Sequence, residues 1–381
     1  MSKFVIVIFS ILAMASVAKA QVCATPSQLD TDLTASTQGS VISLSGVLPL
    51  TCPTIPITET WTGGKLIFSD SPESPTTKGK LYEDGTLAAT SGTVYNRIFV
   101  LHVNQNPTKS MKFGVLIKNL GAVDATLRIQ KKGWKGPGLS WVQMGMDAFK
   151  DWLNSTAGSN VVVAPGATVR LDSSFEVSTP KGQAMHGIWD YSMTEAHQVT
   201  VCAIHATGDT MLGTCPGLSV LARDVHDRGT FEYADKIYDT SVGAVIDTAA
   251  GIQQFSVGGW SGSAYDTIVS GVDVPTGSIE QLDGNIGVLY RMHLATSATD
   301  SQNLGFVINP RGGWWGSSVK SLLGLMSQSA TNCPTTGGGM SDNTKACVMN
   351  RYTPGGGLNV WVQFMITASA NAPVRFIAVP H

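Results

Sequence analysis

Short apolar runs rich in β-branched and aromatic residues recur along the chain, and turn-forming residues separate them. Such runs are typical of β-strands, because these side chains pack well on a pleated surface. The predicted strands are 97–103, 113–118, 125–130, 160–164, 167–171, 287–294, 304–309, 358–367 and 374–379. Apolar residues at helical spacing predict a helix over 141–154 and a shorter one over 318–326. We therefore predict an all-β fold of two similar β-sandwich-like lobes with short helical insertions.

The expectation of two similar lobes comes from a similarity between the two halves of the chain. Residues 99–103 resemble 290–294, and 113–117 resemble 304–308. The distance in sequence from His102 to His293 equals the distance from Gly114 to Gly305. This constant offset favours an internal duplication over a chance match between generic strands.

The domain boundaries follow from this duplication. A chain of 381 residues exceeds the usual size of one domain, so two domains are the default expectation. The turn-rich stretch 207–221 is predicted to link a first lobe over 68–206 to a second lobe over 222–381. We expect 21–67 to add a strand or two to the first lobe.

Residues 1–20 are predicted to form a signal peptide. A lysine starts the segment, an apolar run over 4–15 follows, and Ala18 and Ala20 place small residues where a signal peptidase cleaves. The run is too short to span a bilayer comfortably, so cleavage before Gln21 is favoured over a retained anchor. We expect a bacterial protein of the extracellular space, the cell surface or the periplasm, with no membrane span after cleavage.

Six cysteines follow the predicted cleavage point, an even number in an oxidising compartment. The sequence contains no Cys-x-x-Cys spacing, which argues against a zinc cluster. We predict disulfides between cysteines that are neighbours in the sequence, although six cysteines allow many other connectivities. The predicted pairs are Cys23 with Cys52, Cys202 with Cys215, and Cys333 with Cys347.

The charge of the chain argues against one class of partner. Charged residues make up 14% of the sequence, the formal net charge is −2, and there is no basic run. A nucleic acid would therefore find no electrostatic footprint on this protein, and an anionic membrane surface is disfavoured for the same reason.

The most polar segment directly follows the predicted linker. Asp224, His226 and Asp227 lie close together in the sequence and could ligate a cation. Calcium is the candidate, because it prefers oxygen ligands. Arg223 and Arg228 oppose a cation, so a network of salt bridges within the loop is the alternative. No other cofactor is predicted.

Residues 310–316 form a glycine-rich segment with two adjacent tryptophans. Trp314 and Trp315 cannot both point inward from an extended loop, and an exposed indole beside Arg311 would stack on a sugar ring or on a partner side chain. Packing of both indoles beneath the following short helix is the alternative, since large aromatic side chains are more often in the core. Arg311, Trp314 and Trp315 are therefore the candidate ligand-binding residues.

No familiar catalytic motif is complete. The segment 259–263 (Gly-Trp-Ser-Gly-Ser) has serine where the nucleophile elbow of α/β hydrolases has its second glycine. A glycosidase would need two carboxylates at a fixed spacing, which the sequence does not specify. The carboxylates considered for that rival function are Glu176, Asp190, Glu195, Asp224 and Asp227. The equivalent histidines, His102 and His293, are interpreted as structural hydrogen-bonding groups, because a single histidine without a nearby carboxylate is a poor metal site.

Several short motifs occur in an order that resembles one protein family. They are Arg-Asp-x-His-x-Arg-Gly-Thr-Phe at 223–231, Gly-Val-Leu-Tyr-Arg at 287–291, Asn-Pro-Arg-Gly-Gly at 309–313, Ala-Pro-Val-Arg at 372–375, Asp-Ser-Pro-Glu at 70–73 and Phe-Gly-Val-Leu-Ile at 113–117. Over 68–381 the chain resembles a poorly characterised family of secreted bacterial two-lobed β proteins, some of which occur beside copper amine oxidase-type N-terminal domains. The resemblance implies a location at the envelope or surface, and it implies neither a catalytic residue nor copper chemistry.

These observations favour a secreted binding or structural protein of the cell envelope or extracellular space, with a glycan or a surface protein as its partner. An extracellular polysaccharide hydrolase and a calcium-stabilised surface module are the alternatives. Unpaired edge strands in a glycine- and serine-rich protein also make a homo-oligomer a prediction.

Overall fold

A computed structural model of the chain describes residues 23–44, 47, 51–90, 92–259, 266–311, 313–323, 326–354, 357–367, 370 and 372–381. The predicted signal peptide, residues 1–20, lies outside this part of the chain. Of the serine-containing segment 259–263, only Gly259 is described.

Strands dominate the described residues. They are β1 (Val41–Ser43), β2 (Ile57–Thr62), β3 (Leu66–Ser69), β4 (Gly79–Leu87), β5 (Asn96–Val103), β6 (Met111–Asn119), β7 (Ala125–Gly138), β8 (Val161–Val163), β9 (Thr168–Arg170), β10 (Ala184–Met193), β11 (His197–His205), β12 (Arg228–Phe231), β13 (Asp235–Thr240), β14 (Ile246–Asp247), β15 (Gln253–Val257), β16 (Ser270–Asp273), β17 (Ser278–Gln281), β18 (Leu289–Ser297), β19 (Leu304–Asn309), β20 (Ser317–Leu323), β21 (Met326–Ser327), β22 (Thr331–Cys333), β23 (Lys345–Tyr352), β24 (Leu358–Met365) and β25 (Val374–Pro380).

The helices are short and few. They are α1 (Ser27–Ala35), α2 (Trp141–Asn154) and α3 (Met211–Thr214), with single 3-10 turns at Ser173–Phe175, Cys215–Gly217, Thr248–Ala250 and Asp283–Asn285. None of the described helices is long and apolar enough to cross a bilayer. The predicted helix over 318–326 is wrong. Most of that segment forms β20, which pairs with β24 on one side and with β22 on the other.

Two sheets pack face to face in the first lobe. The larger has the strand order β17-β16-β12-β3-β5-β10-β7-β8, and the smaller has the order β4-β11-β6-β9. Ile98 and Val100 of β5 enter the core between these sheets, whereas Phe99 and Leu101 face the opposite side of the larger sheet. Because successive side chains of a strand point to opposite faces, a strand buried on both faces must be apolar throughout.

The second lobe repeats this arrangement. Its sheets have the orders β1-β23-β19-β25-β15 and β2-β13-β18-β24-β20-β21, with β14 and β22 attached to β18 and β20. Tyr290, Phe306, Phe364 and Phe376 belong to the core cluster of this lobe.

The two lobes share one strand order. The series β3-β5-β10-β7 of the first lobe corresponds to β13-β18-β24-β20 of the second, and β4-β11-β6-β9 corresponds to β15-β25-β19-β23. In the β3-β5-β10-β7 series and in the β13-β18-β24-β20 series, the first two strands are parallel and the later neighbours are antiparallel. The predicted all-β fold with two sandwich-like lobes is confirmed. This shared order is what a duplication would produce, and the duplication itself stays a prediction.

Each lobe takes strands from the other half of the chain, and one of them covers an edge of its larger strand series. Strand β2 pairs with β13 of the second lobe, and β12 pairs with β3 of the first. In the chain, β2 comes directly before β3, and β12 comes directly before β13. The exchange therefore covers the outer edges of β3 and β13, which would otherwise present unpaired backbone groups.

This exchange changes the expected domain boundaries. The segment 21–67 was expected to extend the first lobe, but β1 and β2 lie in sheets of the second lobe and only β3 lies in the first. Conversely, β12, β16 and β17 belong by sequence to the second lobe and by hydrogen bonding to the first. Chain order and sheet membership differ here because pairing follows the available strand edges.

A buried apolar cluster and helix α2 join the lobes. Phe68, Phe99 and Phe149 of the first half pack in one cluster with Leu289 and Met365 of the second. The helix lies very close to β7, so that a Cβ atom on Gly133 would come 1.9 Å from the carbonyl oxygen of Ala148. Glycine is required at this position, since only a residue without a side chain lets the helix approach the strand so closely.

The three predicted disulfides are present. Their Cα–Cα distances are 5.3 Å for Cys23–Cys52, 6.1 Å for Cys202–Cys215 and 5.8 Å for Cys333–Cys347. Cys23–Cys52 joins two points of the N-terminal segment, which packs on the outer face of the second lobe. Cys202–Cys215 joins β11 to the predicted linker, which contains α3. Each bond closes a local loop and is worth about 2–4 kcal/mol.

Arg97 is the main polar contact between the lobes. It lies in β5 with 1% of its surface exposed and makes a two-bonded ion pair with Asp190, at 2.8 and 3.0 Å. Its guanidinium also lies 3.0 Å from Asp235 of the second half and donates to the carbonyl oxygens of Ala234 and Gly287. One buried side chain from the first half thus bonds three segments of the chain, two of them from the second half.

Arg228 makes the reciprocal contact. It lies in the exchanged strand β12, is 1% exposed, and bonds to Asp273 through two nitrogens at 3.0 Å. It also donates to the carbonyl oxygens of Leu81 and Leu221 at 3.0 and 3.1 Å.

Replacing Arg97 with alanine is expected to lower the free energy of unfolding by about 3–5 kcal/mol, because Asp190 and Asp235 would lose a buried partner. Chemical denaturation monitored by tryptophan fluorescence measures this change. Lys65→Ala is the control, since Lys65 pairs with Glu232 at the surface, where both side chains are largely exposed. The control should change stability by at most about 1 kcal/mol. Equal effects of the two substitutions would contradict the role assigned to Arg97.

Candidate functional site

A cleft of about 570 Å³ opens where the two lobes meet, and we call it the interlobe cleft. Strands β5, β7 and β10 of the first lobe and β13, β18 and β24 of the second contribute to its walls. Its polar wall residues include Arg97, Lys131, Asp190, Asp235, Arg291 and Gln363. The indole of Trp152, from α2, and Tyr95, from the segment before β5, complete the aromatic part of the wall.

The interlobe cleft has a positive balance of charge. Among the described residues that line it, three are basic and two are acidic. The two acids, Asp190 and Asp235, both pair with Arg97. Lys131 and Arg291 contribute further positive charge, and Arg291 lies 3.7 Å from Asp235. A positively biased cleft favours a ligand that carries negative charge or many hydrogen-bond acceptors.

Lys131 is held against an aromatic face. Its ammonium nitrogen lies 4.4 Å from the ring centre of Trp152, and the guanidinium of Arg97 lies 4.8 Å from the same ring. Burial lowers the pKa of Lys131, and the nearby positive charges of Lys320, Arg97 and Arg291 act in the same direction. Cation–π contact fixes the position of the ammonium group, although it leaves the N–H donors of that group available to a ligand.

Two more donors in the interlobe cleft lack an acceptor. Neither the indole nitrogen Nε1 of Trp152 nor Nε of Arg291 has a hydrogen-bond partner among the described residues, although both atoms are buried. Native proteins leave few buried donors unsatisfied. Both groups are donors only, so the missing partner must be an acceptor.

A second cleft of about 470 Å³ adjoins the first, and the two share Gly63 and Val94. Its walls are less charged and combine threonines with small apolar side chains. They include Thr86, Leu87, Thr90, Thr230 and Val272. The two clefts therefore form one groove with a charged part and a mostly neutral part.

The predicted ligand-binding segment does not form one platform. Trp315 is fully buried in the core of the second lobe, where its backbone bridges to Met340, so it is not available to a ligand. Trp314 is 43% exposed. Arg311 donates to Ser256 and lines a separate cleft of about 510 Å³. The bridge to Met340 sends Trp315 inward, which agrees with the alternative that large aromatic side chains pack in the core.

The predicted metal ligands form a hydrogen-bonded loop. Asp224 accepts hydrogen bonds from the Ser71 hydroxyl and from the backbone N–H groups of Glu73 and His226, each at 2.9 Å. These bonds hold the pKa of Asp224 below its ordinary value, against the effect of burial. Burial and the charge of Asp283 raise the pKa of Asp227 to about 6. Within the described ranges, no three His, Cys, Asp or Glu side chains are grouped as a metal site.

The carboxylates considered for hydrolysis have separate roles. Asp190 lines the interlobe cleft, but both its oxygens bond to Arg97. Glu176 lies 3.6 Å from Arg170, and Glu195 lies against Gly121 on the first lobe. Asp224 and Asp227 lie in the loop that precedes β12.

The two equivalent histidines have different surroundings. His102 is fully buried and makes 2.9 Å hydrogen bonds to Ser69 and to the carbonyl oxygen of Pro72. His293 is partly exposed, pairs with Asp239 at 2.8 Å and stacks on Trp361.

Arg97, Lys131 and Arg291 were not singled out by the sequence analysis. A charged residue inside or beside an otherwise apolar strand is the signal that could have found them, since such residues are rarely buried without a partner. Asp190 lies between Trp189 and Tyr191 in such a strand.

Comparison with known proteins gives no family and no function. No family model matches the chain, and no curated protein is significantly similar to it. Among solved structures, the crystal structure of the PBSX exported protein XepA aligns with 89% of this chain and 88% of its own, at 10% identity and a TM-score of 0.15. A TM-score this low carries no argument about fold or function.

Acid should destabilise the protein partly through His102. Burial lowers its pKa from 6.5 to about 3, so between these values the unfolded chain binds a proton that the folded protein does not. Stability contributed by neutral His102 is present above pH 6.5 and is lost as the pH falls toward 3, by up to about 1.4 kcal/mol per pH unit.

Urea midpoints of the wild type and of His102→Gln, measured at about pH 7 and about pH 5, test this expectation. The variant should be less stable at neutral pH but should lose less stability on acidification. Parallel pH profiles would show that His102 does not contribute this proton linkage.

Proposed function

We propose that the protein is a secreted binding protein of the cell envelope or extracellular space, and that the interlobe cleft binds an acidic glycan. Three disulfides support an oxidising compartment outside the cytoplasm, since such bonds rarely persist in reducing surroundings. The predicted signal peptide points to the same location.

The unmatched donors of the cleft carry the proposal. Lys131, Trp152 and Arg291 line one cleft, and two of their N–H groups lack an acceptor among the described residues. Both carboxylates of the cleft form ion pairs with Arg97. The carboxylate of a uronic acid supplies both the negative charge and the acceptor oxygens that these donors need. The adjoining cleft, with its threonines and small apolar groups, suits the neutral hydroxyls and ring faces of neighbouring sugars.

The ion pairing of the two cleft carboxylates favours binding over hydrolysis. A glycosidase needs one carboxyl group that gives a proton and a second that acts as base or nucleophile. In the interlobe cleft both carboxylates form ion pairs with one buried guanidinium, so neither stands free to attack a sugar. A surface protein that presents acidic side chains is the other partner that this chemistry would accommodate.

The proposal predicts tighter binding of an oligogalacturonate than of a neutral oligosaccharide of equal length, measured by isothermal titration calorimetry. Lys131→Gln and Arg291→Gln should each weaken binding by roughly ten- to a hundredfold, because a charge-assisted hydrogen bond contributes roughly 1.5–3 kcal/mol. Affinity should fall with added salt.

Lys345→Gln is the matched control, since Lys345 is exposed and pairs locally with Asp342, outside the cleft. It should leave binding unchanged. Equal affinity for the neutral sugar, or full affinity in both cleft variants, would contradict the proposed site.

Calcium at Asp224 and Asp227 is a separate prediction. If calcium stabilises this loop, the melting temperature should rise with calcium and fall in EDTA, and Asp227→Asn should remove the difference. An unchanged melting temperature in EDTA would leave these residues with a role in loop structure alone.

A further inference from the structure

A lysine and an aspartate lie in direct contact inside the second lobe. The ammonium nitrogen of Lys236, in β13, contacts Oδ1 of Asp266, and both side chains are 0% exposed. The two residues are 30 positions apart in the chain. Such a pair has no access to bulk water, so its chemistry is decided by the groups immediately around it.

Hydrogen bonds fix the position of the Asp266 carboxyl group. Its Oδ1 accepts from the hydroxyl of Tyr238 at 2.6 Å, and its Oδ2 accepts from the hydroxyl of Tyr290 and from the backbone N–H of Gly258, both at 2.8 Å. Burial raises the pKa of both tyrosines well above the ordinary value, so they stay protonated and act as donors. These donors polarise the carboxyl carbon, as an oxyanion hole does.

A second carboxylate touches the lysine. Oε2 of Glu59 lies 2.7 Å from Nζ of Lys236, and the Glu59 side chain is 34% exposed. Glu59 belongs to the exchanged strand β2, which pairs with β13. One acid therefore contacts the amine from the solvent side, while Asp266 contacts it from the interior.

Aromatic rings flank the amine, which also donates to the hydroxyl and carbonyl oxygens of Thr267 at 2.8 and 3.3 Å. The ammonium nitrogen lies 4.6 Å from the ring centre of Trp61 and 5.2 Å from that of Tyr238. These rings shield the amine from bulk water, and its direct contact with Oδ1 of Asp266 places an ammonium proton within reach of the carboxylate.

We propose that Lys236 and Asp266 join spontaneously in an intramolecular amide bond, with Glu59 as the proton carrier. This modification is independent of the ligand proposed for the interlobe cleft.

The reaction balances without an oxidant or an activated cofactor. A proton passes from the Lys236 ammonium to the Asp266 carboxylate, which gives a neutral amine and a neutral acid. The amine nitrogen attacks the carboxyl carbon and forms the N–C bond. Glu59 takes the surplus proton from nitrogen and delivers it to the hydroxyl group on that carbon. The C–O bond breaks, one water molecule leaves, and the partly exposed side of Glu59 offers it a route to solvent.

The bond would join β13 to the segment that leads out of the second lobe. Lys236 lies in β13 of the second lobe, and Asp266 lies in the segment that leads to β16 in the larger sheet of the first lobe. A covalent link between them would close the chain loop from 236 to 266 and would withstand reducing conditions that open disulfides.

Intact mass spectrometry of the reduced and denatured protein tests the proposal. The measured mass is compared with the mass calculated from the sequence, starting at the observed N-terminus. The wild type is expected to weigh one water molecule less than its sequence. Proteolysis should release a branched peptide in which residues 236 and 266 are joined. A wild-type mass equal to the sequence mass would overturn the proposal.

Variants distinguish the bond from other losses of water. Lys236→Ala and Asp266→Ala should both have the full sequence mass. Asp266→Asn provides a further test that keeps the shape of the site, because an amide from asparagine would release ammonia in place of water. Loss of water that persists in Lys236→Ala would overturn the assignment.

Glu59→Gln tests the proton carrier. It preserves the size of the side chain, so the variant should fold and should have the full sequence mass, or acquire the bond far more slowly than the wild type. Lys80→Gln is the control, since Lys80 pairs with Glu83 on the first lobe and should leave the bond intact. If Glu59→Gln forms the bond at the wild-type rate, the role of Glu59 is refuted.

Discussion

The exchange of β2 and β12 between the halves is the constraint on which the rest of the structure depends. In each lobe it covers the outer edge of a strand that is otherwise paired on one side only, β3 or β13. Separating the two halves of the chain would therefore uncover two strand edges and would also break the contacts of Arg97 with the second half. Backbone pairing and a buried ion pair thus resist the same motion, so the two sandwiches form one packed unit.

The character of the interlobe cleft follows from this arrangement. Arg97 uses its charge and its donors to bind carboxylates and carbonyl groups of both halves, so that both acids of the cleft are ion-paired within the fold. The groups that remain, Lys131 and Arg291, are basic and face the same space. The acidic side chains of the cleft pair with Arg97, and two further basic side chains face the cleft. This explains how a chain with a net charge of −2 can offer a positive cleft.

Local signals predicted the local parts of the structure. The apolar run at 97–103 identified β5, and the order of the cysteines identified the disulfides, because both depend on near neighbours. The exchange could not be predicted in this way, since β2 pairs with a strand far away in the sequence and its Thr-Glu-Thr segment gives no sign of its partner. The cleft was missed for the same reason. Trp152 and Lys131 form one surface only after α2 has packed on β7.

The exchanged strands also give the similar lobes different chemistry. In the first lobe β12 brings Arg228 to Asp273, and in the second β2 brings Glu59 and Trp61 to Lys236 and Asp266. A guanidinium is not a nucleophile in proteins, so the contact of Arg228 with Asp273 is ionic only. A lysine amine can lose its proton when it is buried beside a carboxylate, and only then is it a nucleophile. The same strand order thus supports a reversible ionic contact in one lobe and the conditions for a permanent bond in the other.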